Sequence, residues 1–396
     1  MLIYIVALAA IMYIMQTTSP LRQQEHLWPL ALWVFAITLI CGLGDMLGGY
    51  DRYIYAEIFD GTADDRARGI PLFSTAAFIY AEKEQGYALY NYLLTYVTSN
   101  RYIFILVTTL VVYLFLFRHI TRYSRYPIMA FFLLFCIYYF FTFTYLRQVL
   151  ALCIAWFAIP YAIQRRPIPF FAIIILAMLF HNSALLFSGI YFIASHRFSR
   201  KQILTVIIWS LILGLTPLST FLFSTIGGAV NEEKANLSAS GANTTRYAYI
   251  IEAAFFLYFI LKRYDTIGKN RLSLCMMNIA LAFVFILCFF VRFLDGGRMS
   301  WYFLIGVVCT MAEIMAKDRR KGDIRKMITL VAVLLYLRIL WGWGIQLRPY
   351  KSFLTDGVRT EDAIWERYEY DHHYDDDKLY RPVFGPMKKD KLIDKY

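Results

Sequence analysis

The sequence predicts an all-α, polytopic integral membrane protein with about 11 transmembrane segments. Three observations predict it. Of 396 residues, 59% are hydrophobic and only 17% are charged, against about 45–50% and about 25% in soluble domains. Apolar runs recur along the chain at lengths near the ~20 residues that a helix needs to cross a bilayer. Basic residues collect between those runs rather than within them. Together these exclude a soluble enzyme, a disordered scaffold and a fibrous protein.

The runs lie at about 1–16, 27–44, 102–118, 126–145, 148–163, 168–194, 202–223, 247–261, 272–291, 299–316 and 327–345. In lipid every backbone group must be paired inside its own segment, so each run is expected as a helix. The first has no basic flank before it and no small-residue cleavage site after it, so no cleavable leader is expected. Segment 84–98 is amphipathic and too polar to span; it is expected at the interface or under the bundle.

Five basic clusters belong inside: Arg118, Arg122 and Arg125; Arg165 and Arg166; Arg197, Arg200 and Lys201; Lys262, Arg263, Lys269 and Arg271; and the run from Lys317 to Lys326. The N-terminus and segments 45–101, 144–148, 224–246 and 292–298 then face outside. Run 168–194 starts after one inside cluster and ends before another, which one straight helix does not satisfy. A break at His181 and Asn182, as a re-entrant hairpin or two half-helices, resolves the conflict, because broken helices at membrane depth line cavities. The alternative is one tilted helix that violates the charge rule. Residues 1–349 thus read as one transmembrane domain with an outside loop at 45–101. Residues 350–396 read as a charged polar tail, outside by parity.

All six cysteines fall in apolar stretches without CxxC spacing and read as small core residues. The net charge of +12 comes with no nucleic-acid-binding pattern, so it points to inside loops and anionic lipid rather than to nucleic acid. The tail run DHHYDDD reads as a solvated segment rather than a metal centre. Asn236 and Asn243 fit a glycosylation pattern that arises readily by chance. There is no P-loop, HExxH or GxSxG pattern.

Charges at membrane depth carry the functional information. Arg147 follows an aromatic run and opens RQVLALCIA. It reads either as an interfacial arginine that snorkels to water or as an anion clamp, since guanidinium grips phosphate bidentately. Arg292 and Arg298 flank the turn RFLDGGR, where Asp295 either neutralises one of them or the turn joins Arg147 around one diphosphate. His181, between LAMLF and SALLF, reads as a packing residue or as a proton-exchanging group in a polar island with Asn182 and Ser183. Asp51, Tyr55 and Phe59 share one helical face. They read as an interfacial surface or as a carboxylate beside an aromatic platform for sugar. Glu84 and Asn91 are further candidates.

These stretches together, GGYDRYIYAEIF around Asp51, the Glu84 to Asn91 segment, RQVLALCIA, AMLFHNSAL and the late Arg292 and Pro349-Tyr350 region, resemble the EpsG family of Wzy-like exopolysaccharide and O-antigen polymerases. The resemblance covers about residues 40–350. It implies a GT-C-like glycosyltransferase architecture in the bacterial inner membrane. It also implies transfer of a growing glycan from undecaprenyl diphosphate onto an incoming lipid-linked repeat unit at the outer face. No cofactor and no metal are implied. Partners would be undecaprenyl-diphosphate-linked glycans, membrane lipids and a chain-length regulator protein. Matching residues to roles, Arg147, Gln148, Arg292 and Arg298 would bind diphosphate. Asp51, Glu84 and His181 are the candidate bases, unranked. Tyr55, Tyr87, Asn91 and Tyr350 would hold sugar. The competing readings are a flippase or transporter of lipid-linked glycans, a glycan ligase and a membrane acyltransferase. A transporter would usually show two matching broken segments, and the chain has one and no internal repeat.

Overall fold

Among the described residues the apolar runs are mainly helical in the computed structural model, which describes residues 1–44, 50–217, 245–293, 296–318, 322–343, 347, 350, 352, 380–381 and 385–386. Asp295, Pro349 and most of the tail, including DHHYDDD, lie outside the described residues.

In chain order the helices are α1 (Leu2–Thr17), α2 (Trp28–Gly42), α3 (Tyr50–Ala67), α4 (Ala76–Tyr80), α5 (Gln85–Leu94), α6 (Arg101–Tyr123), α7 (Pro127–Tyr138), α8 (Leu146–Trp156), α9 (Ile159–Ile163), α10 (Pro167–Met178), α11 (Ile190–Ile193), α12 (Arg200–Leu215), α13 (Tyr247–Lys262), α14 (Arg271–Phe289), α15 (Gly296–Ser300), α16 (Leu304–Lys317) and α17 (Asp323–Gly342). Short 3-10 turns extend several of them, at Tyr139–Phe143, Asn182–Gly189 and Trp301–Phe303. Four stretches are long and apolar enough to cross a membrane: Arg101–Tyr123, Leu146–Ile163, Arg271–Phe289 and Gly296–Lys317. Leu2–Thr17, Trp28–Gly42, Pro127–Phe143, Pro167–Met178 and Asn182–Ile193 are shorter apolar helical stretches. The molecule is therefore an α-helical membrane protein.

The core is built around α7. Its sequence, PIMAFFLLFCIY, is apolar on every side, and such a helix is stable only when covered all round. Nearly all its side chains are buried, under α1, α16 and α17. On the other flank α14 packs against α16, α12 and α13. Gly306 lets α14 and α16 meet: a Cβ there would stand 2.5 Å from the Ala280 nitrogen and 2.6 Å from Ile279 Cβ. Small residues at such crossings allow the close approach on which helix packing in lipid depends.

Polar groups inside the bundle are tied to backbone carbonyls. Trp33 Nε1 donates to Ala7 O at 2.9 Å, and Tyr336 hydroxyl to Tyr4 O at 2.9 Å. Arg52, only 1% exposed, donates from Nη1 to Cys41 O and from Nη2 to Gly44 O, each at 2.8 Å. A cation there meets unpaired carbonyls and the negative dipole end of α2, so it fixes α3 against that end. All six cysteines are buried and free, as the sequence predicts.

The break at His181 is present. α10 stops at Met178, His181 is extended (φ −161°, ψ 119°), and the chain restarts as the 3-10 turn from Asn182. The predicted interfacial segment begins with α5, capped at Glu84. The start of the tail is not free of the body: Tyr350 hydroxyl donates to Ile40 O at 3.1 Å, and Ser352 bridges to Gly44.

Candidate functional site

Three separate segments converge on one carboxylate. Glu84 ends the turn before α5, and its Oε2 accepts a hydrogen bond from Arg147 Nη1 at 2.6 Å. Its Oε1 accepts the backbone N–H of Asn182 at 3.2 Å. Glu84 therefore joins the first turn of α8 to the break after α10. Both side chains are largely withdrawn from solvent, 13% exposed for Arg147 and 9% for Glu84. Charge-assisted bonds of this kind are the strong ones.

The backbone around Glu84 is built for this approach. Tyr87 N–H donates to both Glu84 O and Leu179 O, at 2.9 and 3.1 Å. Gly86 sits directly against Leu179, where a Cβ would lie 2.7 Å from Leu179 Cβ and 3.0 Å from its carbonyl oxygen. A side chain at residue 86 would push the start of α5 off the broken segment.

Three tyrosines surround the guanidinium. Arg147 Cζ lies 4.9 Å from the Tyr80 ring centre, 5.7 Å from Tyr55 and 5.9 Å from Tyr87. Each distance is within cation–π range. Arg147 Nη2 also donates to the Tyr80 hydroxyl at 3.3 Å, and Nε is buried with no hydrogen-bond partner among the described residues. Burial pushes the Tyr55 and Tyr80 phenols above their ordinary value, opposed by the Arg147 charge. Burial holds Tyr87 well above it too. All three stay neutral near pH 7, so they offer ring faces and hydroxyls rather than phenolate bases. Asp51 belongs to the same neighbourhood, since its charge reaches both Tyr55 and Tyr80.

The other face of the first α8 turn holds the 298–302 segment. Gln148 Nε2 donates to Arg298 O at 2.8 Å, and Arg298 Nε donates back to Gln148 Oε1 at 3.3 Å. Arg298 stacks on Tyr145, with Cζ 4.2 Å from the ring centre. Two turns further on, Trp156 Nε1 donates to Tyr302 O at 2.8 Å. At the break, Ser183 Oγ stands 2.7 Å from His181 Nδ1 and 3.1 Å from the Tyr302 hydroxyl.

The structure thus brings Asp51, Tyr55, Glu84, Tyr87, Arg147 and the His181 to Ser183 island into one cluster. Gln148 and Arg298 are joined to its edge. Arg292 turns elsewhere, to Leu215 O at 3.4 Å, and Tyr350 packs edge-on to Tyr4. Tyr55 is buried beside Tyr87 rather than displayed, and Phe59 stacks on Phe104 at 4.3 Å. Asn91 is fully buried and donates to Tyr87 O at 2.8 Å. The aromatic face of α3 is therefore a packed wall behind Arg147. Sequence reasoning missed Tyr80 and Tyr302. Tyr80 lies four residues before Glu84, the only signal it carried.

A family model described as the EpsG family matches residues 30–354. No curated protein and no solved structure matches the chain. The family is associated with Wzy-like polysaccharide polymerases. All three segments that Glu84 ties together fall within the matched span, which takes in most of the chain, and the protein belongs to the EpsG family.

Proposed function

We propose that the protein polymerises undecaprenyl-diphosphate-linked repeat units into a surface polysaccharide at the outer face of the bacterial inner membrane. The observation that carries this reading is the Glu84–Arg147 pair, a buried carboxylate and guanidinium held in a tyrosine cage beside a broken segment. On this reading about eleven segments lie in the membrane in a GT-C-like arrangement, and 168–194 opens at His181 to line the site.

The chemistry follows from the groups present. Arg147 still has an unsatisfied buried donor in Nε, and a phosphate oxygen would satisfy it. Arg298 lies across Gln148 from it. The bond between the donor sugar's anomeric carbon and the diphosphate oxygen breaks, and its electron pair stays on the diphosphate, where preorganised guanidiniums stabilise the charge. The acceptor hydroxyl oxygen bonds to that carbon and gives its proton to a carboxylate. Glu84 takes this role. Asp51, nearby, orients the acceptor sugar. The step as written balances without a nucleotide or a metal ion.

The test is reconstitution of the purified protein in liposomes with a lipid-diphosphate-linked repeat unit. The reading predicts a ladder of longer glycans and release of lipid diphosphate, without added nucleotide. Translocation of the lipid-linked unit without a ladder would replace it with the flippase reading. Transfer to a non-glycan-lipid acceptor alone would replace it with the ligase reading.

A further inference from the structure

Two charges of opposite sign stand on membrane helices that the site does not use. Glu252 lies on α13, five residues from its start at Tyr247, and Arg338 on α17, four residues from its end at Gly342. Both helices pack on α16. They run antiparallel, with their inner ends tied together. Arg263 donates to Asp318 at 2.7 Å, and Asp318 accepts the Ile324 and Arg325 N–H groups at the start of α17. Counted from that tie at about 1.5 Å per residue, Glu252 stands about 16 Å and Arg338 about 21 Å toward the outer end.

Arg338 acts on Glu252 electrostatically, so the two share one neighbourhood. Yet neither makes a hydrogen bond or an ion pair among the described residues. Arg338 is exposed, on the face of α17 that also presents Leu330, Leu334 and Leu337. Glu252 is half-buried beside exposed Ile251. Apolar exposure suits lipid, but a carboxylate there does not. An arginine one turn from a helix end can snorkel to the headgroups. The shorter glutamate, five residues in, has no such reach. An ionisable side chain held at membrane depth calls for a partner.

We propose that the α13–α17 face docks a second copy of this chain about a two-fold axis, with Glu252 of each copy paired to Arg338 of the other. A face that carries one acid and one base is complementary to itself: a two-fold rotation brings each acid to the other copy's base. The axis runs along the membrane normal, because both copies have the same inside and outside. It therefore leaves each charge at its own depth, and the long arginine side chain spans the difference of about one turn. One operation thus satisfies both charges in a medium where polar contacts between helices hold them together. A lipid phosphate would answer Arg338 but repel Glu252. The proposal goes beyond the polymerase reading and does not depend on it.

The experiment is energy transfer between donor- and acceptor-labelled copies of the full chain, in phosphatidylglycerol–phosphatidylcholine liposomes with lipid in large excess. Wild-type copies should show transfer that persists on dilution with lipid. Glu252→Arg alone and Arg338→Glu alone each set like charges against each other, so the association constant should fall about tenfold or more. Mixing a Glu252→Arg copy with an Arg338→Glu copy should restore transfer, because every contact across the axis then joins an arginine to a glutamate. The double reversal in one chain should restore it too. Glu252→Gln and Arg338→Gln remove a charge without adding one and should each weaken association, which keeps the test open if a reversed charge prevents folding. Four results would overturn the proposal. One is wild-type protein without transfer, and another is transfer unchanged in both glutamine variants. A third is rescue by the double reversal but not by mixing, which would place the pair within one chain. The last is transfer that appears only with added phosphatidylethanolamine and ignores the charge reversals, which would assign the face to that lipid. The readout needs no glycan, so its outcome and that of the ladder assay are independent.

Discussion

Glu84 and Arg147 meet at 2.6 Å across 63 positions of sequence. The arginine that hydropathy marks as out of place in its run has a carboxylate partner, and that carboxylate also caps the first N–H after His181. Removing one member of a buried pair leaves the other charge uncompensated, at about 3–5 kcal/mol. Glu84→Gln should therefore lower the unfolding temperature measurably in detergent. The Glu84→Gln, Arg147→Gln double variant should regain part of that loss, because no charge remains to desolvate. A loss in the double variant equal to the sum of the losses in Glu84→Gln and Arg147→Gln alone would show that the pair is not coupled.

Gly86 is the second point of strain-free contact between α5 and the broken segment. Gly86→Ala places a methyl 2.7 Å from Leu179 Cβ. Overpacking of this kind costs about 1–3 kcal/mol, and here it also moves Glu84 away from Asn182. Glycan extension should fall further than stability does. A Gly86→Ala protein with wild-type extension would mean that the Glu84 contact to Asn182 is dispensable.

Tyr80 contributes a ring and a hydroxyl, and they separate by substitution. The hydroxyl bond to Arg147 is long, at 3.3 Å, while the ring lies 4.9 Å from Cζ. Tyr80→Phe should cost little. Tyr80→Ala should cost about 0.5–2 kcal/mol of transition-state stabilisation, the range of a cation–π contact, read as ladder extension rate. Because burial raises the tyrosine ionisations here, any fall in rate from phenol ionisation should set in at higher pH than for an exposed tyrosine.

The two late arginines should differ. Arg298 exchanges hydrogen bonds with Gln148 and stacks on Tyr145, whereas Arg292 reaches Leu215 O. Arg298→Ala should reduce extension more than Arg292→Ala, and Gln148→Ala should resemble Arg298→Ala because it releases the same segment. Retention of activity in Arg298→Ala with loss in Arg292→Ala would reverse the assignment.

Much of the fold was legible because lipid imposes a local rule: an apolar run must be helical, and among the described residues the runs are mainly helical, with 168–194 broken at His181. The break at His181 was legible from the conflict between hydropathy and flanking charge. The ends of the site, Arg147, Glu84 and His181, were legible as charges and a polar island in apolar surroundings. Their pairing was not, because a contact between residues 84 and 147 leaves no trace in periodicity. Arg52 was passed over for the same reason: its partners are carbonyls at the end of α2, which have no side-chain signature. Tyr55 and Phe59 were correctly placed on one face of α3, but which side that face takes is decided by tertiary packing, and it faces inward. Tyr302 looked like one aromatic among many until its hydroxyl met Ser183.

The most direct measurement is glycan extension by purified protein in liposomes, with a defined lipid-diphosphate-linked repeat unit, comparing wild type with Glu84→Gln and Arg147→Lys. If the Glu84–Arg147 pair holds the diphosphate and takes the acceptor proton, wild type builds a ladder and releases lipid diphosphate. Both variants then remain folded in the membrane but lose extension by about 10²-fold or more. Wild-type ladders from folded Glu84→Gln protein would contradict it.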